Sequence, residues 1–508
     1  MSMVTGSLAN RLDYRYHLMA KQTTPILGAL VDPVRLETLV RQMSNGSNLP
    51  ATYYCDDVED AEALYVSVAS LSQFLLDEER SQAIRIPGKK SGAGSKQLAS
   101  LAAAANEVLI TRSGTPGIAY PCSASEDGSL PVVPSGFLVR LSLQEGVDAH
   151  YMAAILNHPI WRITTTALSA GKRQDNISQP SLASVPMPRL GDDARAAIAD
   201  GYRLAMDRLD ALALERTVFA EKCDEILAKL IGLPRPDISS PPLAQTTVSL
   251  QSVAARRDVR IDHRLHNPAL AKNMSTLALH SPGRLVSVMT EAPIRRGQPA
   301  LPKDVEVDAE TPVVIATSTI QDGQVVESLM KATTTETVDS SPLRVGDLLI
   351  AMDGDGSLGK ASVFDLPDTP ATTDSHVAVL RLTESETLPY AVACFLNSNW
   401  GRMQTNGLMT GATGQTQLSS GDLESVKLPE RLVVDAKAVA EEYKETVLAY
   451  EPKVVKARRI ICENAASVSR ILIDAGALRV PKETEDWLCD ASALFDFLAI
   501  VYPSVRNK

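Results

Sequence analysis

Between Asp192 and Leu230 apolar residues recur at alternating steps of four and three: Ile198, Tyr202, Ala205, Leu209, Leu212, Phe219, Cys223, Ile226 and Leu230, with only Arg216 breaking the seam. So narrow a stripe predicts a long helix that wants one partner helix rather than a broad core. At 1.5 Å per residue the helix would be roughly 55 Å long, a strut. A second stripe, from about Asp435 to Ala475, uses Tyr443, Val447, Tyr450, Val454, Ala457, Ile461, Val468 and Leu472. Pro452 predicts a kink or a split there, because proline removes a backbone bond and clashes with the preceding turn. Two such struts in one chain most simply pair with each other. Ahead of each strut the pattern shortens to β-branched and aromatic runs: Leu64–Val68, Val108–Ile110, Val132-Val133 and Phe137–Leu141 in the first half, Val313–Thr317 in the second. Tyr151–Leu156 and Ile160-Trp161 have helical spacing. The chain is therefore mixed α/β (α+β), with short strands and two long helices. A Pro-rich linker at Gly232–Pro242 stops the first strut, and Glu485 to Leu498 predicts a short amphipathic helix at the end.

The pattern occurs twice. Leu168, Gly171, Ile177-Ser178, Leu182, Ser184-Val185 and Pro188 match Leu408, Gly411, Leu418-Ser419, Leu423, Ser425-Val426 and Pro429. Outside that window, Arg11-Leu-Asp13-Tyr-Arg15-Tyr-His17 matches Arg260-Ile-Asp262-His-Arg264-Leu-His266, and Glu107–Gly117 matches Asp347–Gly359 with two residues inserted. Val139-Arg-Leu141 matches Leu380-Arg-Leu382, while Tyr151, Leu156-Asn157 and Trp161 match Tyr390, Leu396-Asn397 and Trp400. The order is kept at a nearly constant offset of about 240 residues, so each copy is a domain rather than a solenoid unit. The domain expectation is 1–190, a central helix 191–232, a linker 233–248, a second module 249–430, a distal helix 431–476 and a C-terminal helix 477–508.

Composition narrows the function little. Apolar content of 44% and charged content of 22% fit an ordinary globular chain. The six cysteines are scattered without a C-x-x-C pair, which argues for a reducing cytoplasm over a disulfide framework or a zinc site. Neither a signal pattern nor a membrane-length apolar run is present, so no membrane partner is expected. A net charge of -11 argues against coating nucleic acid at random, though not against DNA binding through local basic loops.

Module, strut, module, strut, with a strand-Ser-Gly-x-x-Gly turn and a Gly-x(5)-Ile-Ser-x(3)-Leu-x-x-Val-x-x-Pro exit, resembles the DNA-specificity subunit of type I restriction–modification enzymes. The resemblance spans nearly the whole chain. It implies two target-recognition domains, each reading half of a split double-stranded DNA site, separated by two long antiparallel coiled-coil helices. It also implies docking of two copies of a DNA methyltransferase subunit, with restriction subunits as a further partner. Catalysis would lie in those partners, and S-adenosylmethionine would belong to the methyltransferase, with no cofactor in this chain. Three features depart from the family. The acidic-glutamine pair that often follows the exit proline is absent after Pro188 and Pro429, the second turn carries Asp353 and Asp355, and the C-terminal helix is extra.

The exit loops are the first candidates for reading bases. Lys172, Arg173, Gln174 and Asn176 suit guanine and adenine edges, and the second copy has Gln415, Thr416 and Gln417 in that place without a cation. If both loops read, the target is asymmetric. Arg112, Ser113 and Thr115 in the turn, Lys89 and Lys90 in a Gly/Ser/Lys loop, and Arg295 and Arg296 in a basic loop are candidates for phosphate contacts. Solvated polar loops are the plain alternative for all of these. Gly354 to Lys360 nearly spells a phosphate-binding loop, but Ala361 replaces the magnesium-holding hydroxyl and Asp355 would sit in the cradle. His263 and His266 with Asp262 read as structural rather than metal-binding, because the duplicate keeps only Asp13 and His17. No catalytic constellation is legible. A duplicated DNA-binding adaptor of a phage-defence complex without methylation is the alternative function.

Overall fold

The computed structural model describes the chain except residues 1–24, 56–60, 73, 77, 79–80, 86–94, 123–129, 170–175, 215–217, 239–263, 291–293, 298–310, 355–356, 383–384, 412–415 and 495–508. The chain divides into two compact units, Met1–Ala213 with Ala457–Tyr502, and Leu214–Lys456 with Pro503–Lys508. Each unit holds one copy of the repeat together with part of each long helical segment.

The first unit contains β1 (Val34–Arg35), β2 (Val40–Asn45), β3 (Ala63–Val66), β4 (Gln82–Ile84), β5 (Glu107–Thr111), β6 (Ala119–Pro121), β7 (Val132–Pro134), β8 (Leu138–Leu143) and β9 (Pro186–Met187). A four-stranded sheet has the order β2-β8-β5-β6, a three-stranded sheet the order β4-β3-β7, and β1 pairs with β9. Strand β5 is an unbroken apolar run at Val108-Leu109-Ile110 because both of its faces are covered, as its complete burial shows. The helices Ala149–Asn157 and Pro159–Leu168 close the module. They break at His158, since the residue before a proline avoids the helical region and Pro159 suits the first turn of the next helix.

The second unit contains β10 (Gly283–Arg284), β11 (Arg295–Arg296), β12 (Val313–Ile315), β13 (Ile320–Gln321), β14 (Gln324–Val325), β15 (Lys331–Ala332), β16 (Leu348–Ala351), β17 (Ala361–Val363), β18 (Ala371–Thr373), β19 (Val377–Leu380) and β20 (Lys427–Leu428). Its sheets run β11-β19-β16-β17 and β15-β12-β18, with β10 on β20 and the hairpin β13-β14 added. Among the described residues this is strand for strand the topology of the first unit, including the parallel pairing of β3 with β7 and of β12 with β18. The duplication read from sequence is thus a duplication of fold.

One buried network recurs atom for atom. Asn157 Nδ2 donates to the Ala119 carbonyl at 2.6 Å and to the Tyr202 hydroxyl at 2.8 Å, while Ala119 N donates to its Oδ1 at 3.0 Å. Asn397 makes the same three bonds, to Ala361 at 2.8 and 3.1 Å and to Tyr443 at 3.1 Å. A second feature is shared with a shift. Arg140 pairs with Glu107 at 2.8 Å, and Arg381 pairs with Asp347 at 2.8 Å. Strand register places Arg381 level with Ser142 rather than with Arg140, because Leu141 faces Val108 as Leu380 faces Leu348. The two arginines reach equivalent carboxylates from positions two residues apart. Alternate residues share a face of the sheet, so the shift keeps the pair.

The long stripes do more than pair with a helix. In the first unit Ile198, Tyr202, Ala205 and Leu209 of the helix Asp192–Leu214 join one core with Tyr151 and Leu156 of the module and with Ile460, Val468 and Leu472 of the distal segment. Arg208 also pairs with Glu463 at 2.8 Å. In the second unit Cys223, Ile226 and Leu227 of the helix Val218–Ile231 meet Val439, Ala440, Tyr443 and Val447 together with Leu396 and Phe395. Arg216, the expected break in the seam, lies outside the described residues. The distal segment is split as Pro452 predicts, into Ala436–Tyr443, a π-helical turn Lys444–Leu448 and, after a non-helical stretch, Lys453–Asp474. The C-terminal helix runs Lys482–Cys489 and buries Leu488 in the first unit's core. It stops at Asp490, whose backbone is extended, so the single helix expected to reach Leu498 is broken there, and residues 495–508 are outside the description.

Candidate nucleic-acid interface

Each exit signature is a small folding unit whose fixed letters have fixed jobs. Ser178 caps the short helix Gln179–Ala183 by accepting from Ser181 N, and Ser419 caps Ser420–Glu424 by accepting from Asp422 N. Ile177, Leu182 and Val185 are buried, as are Leu418, Leu423 and Val426. The chain then pairs as β9 or β20, which fixes where the loop ahead of the cap ends.

That loop end meets the turn after the central strand. In the first unit Ser113 and Asn176 form an isolated antiparallel bridge, and the Ser113 hydroxyl donates to Asn176 Oδ1. Ile177 N donates to the Arg112 carbonyl at 2.9 Å. In the second unit Asp353 and Gln417 form the same bridge, and Leu418 N donates to the Met352 carbonyl at 2.7 Å. The turn itself is held from below by the closing helix. Gly117 and Gly359 have φ of +90° and +80°, and a Cβ on either would strike a threonine hydroxyl, Thr165 or Thr405. Both requirements demand glycine, which accounts for the last Gly of the Ser-Gly-x-x-Gly pattern. Arg162, itself buried, donates to the Pro116 carbonyl at 2.8 Å from the same helix.

Of the sequence candidates, Arg112, Ser113, Thr115 and Asn176 therefore come together in one unit. Ser113 is buried with its hydroxyl engaged, whereas Arg112 and Thr115 are half-buried. In the other unit Thr416 is half-buried and Gln417 exposed, and the Gln417 backbone closes the loop by exchanging two 2.9 Å bonds with Thr410. Arg295 and Arg296 are placed in the edge strand β11 opposite Val379 and Ala378, not on a free basic loop. Arg296 donates to the Leu418 carbonyl at 2.6 Å, so it also braces the exit loop. Lys89, Lys90, Lys172, Arg173, Gln174 and Gln415 lie outside the described residues, as do Asp13, His17, Asp262 and His263.

The phosphate-loop look-alike runs from strand β16 into antiparallel strand β17 rather than into a helix N-terminus, and Lys360 Nζ is spent on Gln321 Oε1 at 3.0 Å. Among the described residues no cluster of metal-ligating side chains forms, and no helix is long and apolar enough to cross a membrane.

Three residues at these loops escaped the sequence reading. Arg264 donates to the Gly411 carbonyl at 3.1 Å. Phe137 stands exposed beside the first turn, its carbonyl accepting from Arg112 N at 3.0 Å. His376 stands beside the second, hydrogen-bonded through Nδ1 to Asp353, which accounts for an acidic turn at this place. That bond raises the His376 pKa above the ordinary imidazole range against its partial burial, with further help from the charges of Asp353 and Asp374 and opposition from Arg296.

No protein-family profile and no curated protein matches the chain. Among solved structures it is similar to the type I restriction–modification S subunit from M. genitalium, with 12% identity over 89% of this chain and 96% of that one, at a TM-score of 0.36. It is similar to the HsdS subunit from Thermoanaerobacter tengcongensis, with 13% identity over 94% and 96% and a TM-score of 0.23. A third is a chain from a study of complex assembly and conformational transition of the type I R-M system, with 14% identity over 88% and 98% and a TM-score of 0.32. All three neighbours come from type I restriction–modification systems.

Proposed function

We propose that this chain is a non-catalytic DNA-reading subunit that recognises a split, asymmetric duplex target, one half per unit. The observation that carries the proposal is the duplicated junction of turn and exit loop, Ser113 with Asn176 and Asp353 with Gln417. In both units one backbone bridge holds the end of an exit loop, and the loops differ between the copies in their polar side chains, which is what two readers of unlike sequences require. Lys172, Arg173 and Gln174 belong to the proposal on residue chemistry alone, as donors suited to guanine and adenine edges. Methylation, in this proposal, is performed by two copies of a methyltransferase subunit that carries S-adenosylmethionine, and restriction subunits join the same assembly. The chain supplies sequence choice and their placement.

The test is selection from a random duplex pool by the chain purified with its catalytic partner. The expected product is two short motifs with unlike sequences, separated by a fixed spacer. Enrichment of one contiguous motif, or of none, would contradict the proposal.

A further inference from the structure

Phe137 and His376 occupy one backbone position in the two copies. Each is the last residue of the tight turn that follows the strand β7 or β18, directly before Leu138 of β8 or Val377 of β19. Each carbonyl accepts from the backbone N–H of the residue before the bridge, Arg112 at 3.0 Å and Met352 at 2.9 Å. Each ring is exposed, Phe137 at 53% and the His376 side chain at 57%, while the next residue is fully buried. A single exposed ring on a protein surface needs no explanation. Two rings fixed at the same duplicated position, each next to a junction of turn and exit loop, are a different matter.

The neighbours tune them differently. His376 N donates to Asp374 Oδ1 at 2.9 Å and its Nδ1 bonds Asp353, so neither aspartate engages Nε2. With Nδ1 held by the carboxylate, Nε2 accepts a hydrogen bond in the neutral ring and donates one in the protonated ring. Asp353 reaches the ring from the β16–β17 connection, Asp374 from the β18–β19 connection and Arg296 from β11. Phe137 carries no polar atom on its ring, and its chemistry suits the 5-methyl group of thymine.

Resting on the DNA-reading function proposed above, we infer that Phe137 and His376 are specificity-determining residues of the two half-sites. Phe137 selects thymine by apolar contact, and His376 selects a base edge by a hydrogen bond through Nε2, with Asp353 as its positioning residue.

The experiment repeats the duplex selection with the assembled complex carrying the wild-type chain, Phe137→Ala, Phe137→Leu or His376→Ala. Both positions are exposed, so folding is expected to be unchanged, and thermal melting of each variant checks this. Phe137→Ala should lower the preference for thymine at one position of one half by about tenfold, Phe137→Leu should keep most of it, and the other half should not change. His376→Ala should relax one position of the other half by about the same factor. The wild-type preference there should differ between pH 6 and pH 8, and the difference should shrink in Asp353→Asn. A wild-type complex that selects a two-part motif while Phe137→Ala and His376→Ala leave both halves intact overturns this inference and spares the functional proposal. A wild-type complex that selects no two-part motif overturns both.

Discussion

Ser113 and Asn176, 63 residues apart in sequence, are joined by a backbone bridge and a side-chain hydrogen bond. The bridge ties the turn after the central strand to the last residue of the exit loop, and Asp353 with Gln417 repeats it in the other unit. A loop end pinned in this way has lost much of its conformational freedom before any ligand arrives, which lowers the ordering cost of binding.

The pin can be withdrawn. Asn176→Ala leaves the buried Ser113 hydroxyl without its acceptor, at a cost of about 1–2 kcal/mol. The Ile177 amide, bonded to the Arg112 carbonyl, should then exchange with deuterium about ten times faster or more, with the central strand β5 unaffected. Equal protection of Ile177 in the variant would show that the side-chain bond does not hold the loop.

The repeated asparagine network should be costly to remove. Asn397→Leu strands the Ala361 N–H and carbonyl and the Tyr443 hydroxyl in a buried site, for which about 2–4 kcal/mol is expected. Asn157→Leu should cost the first unit a similar amount. Denaturant unfolding, followed by fluorescence in backgrounds that keep only Trp400 for one unit or only Trp161 for the other, should show each variant lowering mainly its own unit's midpoint. A stability change under about 0.5 kcal/mol in either would refute the role given to the network.

Acid should act on the two units in opposite directions. His158 is buried, hydrogen-bonded to Ser469 at 2.9 Å, and burial pushes its pKa down to about 3. Its folded pKa lies below an unfolded value near 6.5, so its contribution is fully present above about pH 6.5 and is lost as pH falls toward 3, by about 3 kcal/mol at pH 4. Asp224, hydrogen-bonded to Asn399 Nδ2 at 2.6 Å, is pushed up to about 6 by burial. Its folded pKa lies above the unfolded value near 3.9, so the penalty it imposes at neutral pH is relieved as pH falls from 6 to 4. His158→Gln should flatten the acid sensitivity of the Trp161 transition between pH 6.5 and 4, and Asp224→Asn should remove the acid gain of the Trp400 transition. Unchanged pH profiles in both variants would contradict these assignments. Ser398 holds the His158 place in the second unit, which therefore lacks that acid sensitivity.

Much of this fold was legible because its signals are local. Val108-Leu109-Ile110 reads as a strand and Pro452 as a break, each from a few neighbouring residues. What depends on partners far along the chain was not legible. The stripe through Ile198, Tyr202 and Leu209 predicts one partner helix, but periodicity cannot say that Asn157 of the module bonds Tyr202 of the same stripe. Arg295 and Arg296 form a strand only two residues long, held by pairing with β19, and look like a basic loop when that partner is unseen. Aligning Arg140 with Arg381 by letters missed a two-residue shift that only the strand register reveals. Phe137 and His376 share no letter, so comparing the copies by identity passes over them, whereas their common backbone bond finds them at once.

The central claim, that this chain chooses the DNA sequence for a partner methyltransferase, meets its most direct test in the methylation map of the host genome with and without the gene. Long-read sequencing should show one two-part motif methylated in the parent strain, lost entirely on deletion, and regained when the gene is restored. A methylome unchanged by the deletion would contradict the claim.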